Sequence, residues 1–234
     1  MRGLRLVSAA LFLATALAAP PATADEAADA FHAAVAGAYQ HYREAIHYYE
    51  TGNSDLGELA FDQFLAGWKA LAARYAGNPP PAYAKDADFA ETLSAIEAKA
   101  ASAAGAAPAE ALLALKPIRG DLAALRKRSG QRVFSDCIDA MNEAMDRLWD
   151  YRQKPPDARR LPAFQTAARE TAARYRDCLE QAPPALRETA EFRRMMEGAL
   201  ASLARLEAAT EAELIVSLLR ELRSFDKLIW LRFG

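Results

Sequence analysis

Between residues 31 and 49 the side chains Phe31, Val35, Ala38, Tyr42, Ile46 and Tyr49 step by three and four. That interval puts them on one face of an α-helix; a strand would need an interval of two. Gly52 follows as a stop, and Asn53 or Ser54 can cap the next helix by accepting one of its first free N–H groups. Leu59, Phe61, Phe64, Leu65, Trp68 and Leu71 mark that second helix, which ends before the breaker Gly77-Asn78-Pro79-Pro80-Pro81. A third helix is expected over 86–104. Pro108 opens a fourth that runs to 128, kinked at Pro117 because its ring lacks the N–H.

Composition points the same way. Ala occupies 56 of 234 positions, while Val, Ile and Thr together supply 18, too few to pave a sheet. The remaining helices are expected over 133–153, 159–181, 186–206 and 209–232. The last of these is apolar on more than one face, through Ile215, Val216, Leu218, Leu219, Leu222, Phe225, Leu228, Ile229, Trp230, Leu231 and Phe233. A helix of that kind is buried on several sides, here against its own unit and against the first. The other reading is a homodimer surface.

The two halves echo one another. Phe31 corresponds to Phe134, Ala60-Phe61 to Ala163-Phe164, Phe89 to Phe192, Arg119 to Arg223 and Gly130 to Gly234, at a nearly constant offset. Ala72-Ala73-Arg74-Tyr75 recurs as Ala172-Ala173-Arg174-Tyr175. A duplication is the reading. The expected fold is all-α: tandem duplicated antiparallel four-helix bundles, about eight helices, over residues 25–130 and 131–234.

Ahead of them, residues 1–24 have the pattern of a secretory signal peptide. Arg2 and Arg5 precede an apolar run, and Ala22-Thr23-Ala24 offers a small-x-small site with cleavage after Ala24. The periplasm is the expected compartment, with no membrane span in the mature chain. There are 29 Lys and Arg against 31 Asp and Glu, and two of the arginines lie in the signal. Neither half has the basic surplus that phosphate backbones require, so nucleic acid is not an expected partner.

Cys137 and Cys178 are the only cysteines. They fall at the same end of an antiparallel hairpin, and an oxidising compartment makes a disulfide the default. The rival reading uses the reduced thiol: Cys137, Met141 and Met145 form one stripe of soft ligands suited to cuprous copper. That methionine stripe also reads as core filler. The histidines, His32, His41 and His47, all lie in the first helix, where His41/Glu44 and His47/Glu50 are each spaced to share a face. A metal site would start from His41 and Glu44; a solvated face is the plainer reading. Arg119 and Arg223 hold matching places and need acid partners if they point inward, with Asp121, Asp226 or Glu221 within reach. A partly polar cleft between the first two helices, lined by tyrosines of the first unit, is a further reading. There is no Gly-rich phosphate loop, no GxSxG elbow, no HExxH pair and no CxxCH attachment, so no catalytic residue is assigned.

An exported antiparallel four-helix unit resembles the cytochrome c-prime group and its relative with non-covalent haem. That resemblance implies a haem held through a histidine of the last helix, usually within CxxCH. Here the last helices read PIRGDLAALRKRSG and RELRSFDKLIWLRFG, with neither Cys nor His, so it implies the bundle without the haem. His41-Tyr42-Arg43-Glu44 resembles the HxxE motif of imelysin-like proteins, exported helical bundles associated with iron uptake. The expectation is therefore a non-enzymatic, haem-less periplasmic protein that binds a small ligand or a protein. The alternative is a metal-binding accessory protein for iron or copper, using His41 and Glu44 or Cys137, Met141 and Met145. A hydrolase working through carboxylates alone is the third class.

Overall fold

A computed structural model describes residues 24–234. Of the predicted signal peptide, residues 1–24, all but Ala24 lie outside the described residues. All regular secondary structure among the described residues is helical. The long helices are α1 (Ala24–Thr51), α2 (Ser54–Tyr75), α3 (Phe89–Ala103), α4 (Pro108–Leu115), α5 (Ile118–Arg128), α6 (Phe134–Trp149) and α7 (Leu161–Gln181). A single turn, α8 (Pro184–Arg187), then leads into α9 (Ala190–Ala208) and α10 (Ala212–Phe233).

The punctuation follows local chemistry. Gly52 takes φ +79°, the left-handed conformation that ends α1, and the side chain of Asn53 rather than Ser54 caps α2 by accepting from the Leu56 N–H at 3.4 Å. Pro108 sits in the first turn of α4, where no N–H is missed. Pro117 does more than kink the expected fourth helix: Leu115 ends one segment and Ile118 begins the next. Thr189 caps α9 by accepting from the Phe192 N–H.

α1 packs along α2, α2 along α3, and α3 against both α4 and α5; α4 returns to α1. In the second half α6 packs on α7, α7 on α9, α9 on α10, and α10 returns to α6. α10 also packs on α1, so the last helix is buried on several sides, as its apolar circumference requires. One continuous hydrophobic cluster results, running from Phe31, Phe64 and Trp68 through Leu93 and Ile118 to Met145, Phe164, Phe192 and Leu219. No described helix is long and apolar enough to cross a membrane.

Candidate functional site

The residues expected to carry chemistry fall in separate places. His41 Nδ1 meets Glu44 Oε2 at 3.1 Å, with both side chains about one-third exposed, and Gln40 also donates to Glu44. Among the described residues no group of three or more His, Cys, Asp and Glu side chains is arranged to hold a metal ion. Glu50 does not pair with His47. Lys227 and Lys116 reach it from α10 and from the α4–α5 junction. Burial opposes its charge, yet the two ammonium groups hold its carboxyl below the ordinary value.

Cys137 and Cys178 lie at disulfide distance, with Cα atoms 5.5 Å apart, tying α6 to α7. A sulfur so engaged offers no thiolate to copper. Met141 and Met145, the other members of that stripe, are buried in the core, the packing alternative for the same pattern.

Arg119 and Arg223 do turn inward, and most of their partners lie outside the set the spacing suggested. Asp121 pairs with Lys99, and Glu221 takes Ser202 and Arg205. Arg119 donates to Asn142 Oδ1 at 2.8 Å and lies 3.7 Å from Asp139 Oδ1. Arg223 bridges Asp146 at 2.7 Å and Asp226 at 3.1 Å. Asp226 is the centre of this network: Tyr175 O–H and Asn142 Nδ2 each donate to it at 2.7 Å. α5, α6, α7 and α10 are thus joined by polar side chains inside an apolar interior.

Asp139 has a harder position. It is 6 % exposed, accepts from Trp230 Nε1 at 3.3 Å through Oδ1, and its Oδ2 has no hydrogen-bond partner among the described residues. Burial pushes its carboxyl up to about 6, more than Arg119 and Trp230 pull it down. The folded protein then binds a proton that the unfolded chain releases. This group adds stability at pH 4 and loses it as the pH rises through 6. The full shift corresponds to about 3 kcal/mol across the whole titration, of which about 2 kcal/mol is lost between pH 4 and pH 6. Urea midpoints at pH 4.5 and pH 7 check it: Asp139→Asn should gain on wild type as the pH rises, and parallel curves would show the carboxyl to be unperturbed.

An apolar hollow lies at the seam between the first and second halves of the chain. α1 supplies Phe31, Val35 and Tyr39, α5 supplies Leu122 and Leu125, and the start of α6 and the end of α10 supply Phe134 and Phe233. Its volume is about 340 Å³. Polar groups touch it at few points. His32 Nε2 sits 2.8 Å from the Tyr83 hydroxyl, and burial followed by the Arg126 charge holds the His32 ring below its ordinary value, hence neutral at pH 7. Arg126 donates from Nε and Nη2 to Asp136 Oδ1. The Tyr39 hydroxyl is buried with no partner among the described residues. Its ring stacks on Tyr42 at 4.8 Å, and Arg43 lies over it at 5.3 Å.

The partly polar cleft expected between the first two helices is not this hollow, which has no residue of α2 in its lining and opens between α1, α5, α6 and α10. Sequence reasoning did not foresee a hollow walled by residues 133–135 and by Phe233. No family model matches this chain, and no curated protein or solved structure matches it. Neither resemblance drawn from the sequence gains a match.

Proposed function

We propose that this is a non-enzymatic, exported binding protein that holds a small apolar ligand in the seam cavity. The observation that carries this reading is the cavity itself: about 340 Å³, walled by aromatic and aliphatic side chains from both halves, with a few convergent polar groups. That is the size and lining of a small-molecule site. The polar network of Asp226, Asn142 and Arg119 joins the elements around the seam and fixes their spacing. The duplicated bundle and the periplasmic compartment belong to the same proposal. Superposition of residues 25–130 on 131–234 tests the former, and the N-terminal residue of the exported protein tests the latter.

Ligand entry is checked with an uncharged fluorescent probe such as N-phenyl-1-naphthylamine. Wild type is expected to bind one equivalent with enhanced, blue-shifted emission. Val35→Trp, which fills the cavity from α1, is expected to weaken binding about tenfold or more, consistent with the loss of an apolar site worth at least 1.4 kcal/mol. Ala36→Trp at the rim serves if Val35→Trp loses its helical circular dichroism. Absence of probe binding, or equal binding by a folded cavity-filled variant, would overturn the reading.

A further inference from the structure

Resting on that cavity reading, we propose that the ligand is a neutral aromatic molecule of about two fused rings, packed against Phe134 and Phe233. Five benzenoid rings line the hollow: Phe31, Tyr39, Tyr83, Phe134 and Phe233. Phe134 and Phe233 are the partly exposed members, and the other three are buried. Both pack edge-to-face on the fully buried Phe192, with ring centres 5.9 and 5.1 Å away and planes at 70° and 88°. Phe31 meets Tyr83 in the same manner at 5.0 Å and 66°. The rings at the hollow are thus held in place by other rings. No methionine, the side chain that adapts to any apolar shape, stands among the described lining residues.

A benzene ring has a negative face and a positive edge, so a wall of fixed rings favours a ligand that brings a ring of its own. A saturated skeleton of the same size gains burial there and nothing from the ring quadrupoles. The ligand is neutral because the charged groups and the imidazole at the wall are engaged with the protein. Asp136 balances Arg126, His32 is paired with Tyr83, and the Gly234 carbonyl accepts from Arg43. A ligand charge would find no unpaired counter-charge among these groups, and burying a charge unpaired is costly. The volume sets the size. About 340 Å³ is roughly twice the ~150 Å³ of an apolar cavity that accepts benzene, which gives room for two fused rings.

The test is equilibrium dialysis of the purified chain at pH 7 against naphthalen-2-ylmethanol and against decahydronaphthalen-2-ylmethanol. The two share a skeleton and an aliphatic hydroxyl and differ in ring unsaturation. The naphthyl compound is expected to bind about fivefold tighter, the worth of one edge-to-face pair. Phe134→Leu and Phe233→Leu keep the wall apolar, and each is expected to lower that ratio to about twofold or less by weakening the naphthyl compound. The wild-type comparison needs no variant, so a folding defect in either cannot obscure it. Equal affinity of wild type for the two, or tighter binding of the saturated one, would overturn the aromatic proposal and leave the cavity reading standing. An aromatic preference that persists in both folded variants would overturn the role of Phe134 and Phe233. If neither compound nor the uncharged probe binds, both readings fall.

Discussion

Replacing Asp226 with alanine is expected to cost about 3–5 kcal/mol of folding free energy, the range for breaking a buried charged network from one side. Asp226 is 1 % exposed and accepts from Tyr175, Asn142 and Arg223. Tyr175 is fully buried, so its hydroxyl would have no water to turn to. Asn142, 7 % exposed, would keep its bond from Arg119 and lose the one it donates. Arg223 would retain Asp146, which is half exposed, and would keep part of its charge balance. Tyr175→Phe removes one bond and leaves the carboxylate with two partners, and is expected to cost about 1 kcal/mol. Urea unfolding followed by far-ultraviolet circular dichroism separates the two. If Asp226→Ala and Tyr175→Phe cost the same, the carboxylate is not the centre of the network.

Opening the Cys137–Cys178 bridge is expected to cost about 4 kcal/mol, because the cross-link closes a loop of 41 residues in the unfolded chain. The bridge holds α6 against α7, and α6 carries Asp139 and Asn142, so its loss also loosens the network at its base. The Cys137→Ala, Cys178→Ala double variant is the cleaner comparison. Cys178 is fully buried, and a serine there would add an unpaired hydroxyl to the cost of the missing bridge. The denaturant midpoint of wild type should fall on adding reductant, to the midpoint of the double variant. Two titratable thiols in native wild type, or a midpoint indifferent to reductant, would contradict the cross-link.

Much of the architecture could be read along the chain. The stripe from Phe31 to Tyr49 forecast α1; the turn at Gly52 and Asn53 appears where the residues ask for it; Pro108 and Pro117 bracket α4. The pairing of Cys137 with Cys178 followed from hairpin register and the count of two cysteines. These succeed because helix formation, capping and helix breaking depend on neighbours within four residues. Asp226 was legible in part. It falls on the inward stripe Ile215, Leu219, Leu222, Asp226 and Ile229, and an acid on such a stripe signals a buried polar centre. Asp139 and Asn142 carried no comparable signal, since an acid or amide beside an apolar stripe on a helix is ordinary. His41 and Glu44 met as spaced, and no third ligand joined them among the described residues.

By itself, then, the sequence determined an all-helical chain, most of its helix boundaries and its one cysteine pairing, because each is decided by period, cap or sulfur count. The tertiary structure alone decided that Phe31 and Phe233 would wall one cavity, that Arg126 would stand beside it paired with Asp136, and that Asp226 would gather partners from three helices. A cavity is the volume that side chains distant in sequence fail to fill. Its shape depends on how helices far apart along the chain come to rest against one another, and no local pattern encodes that.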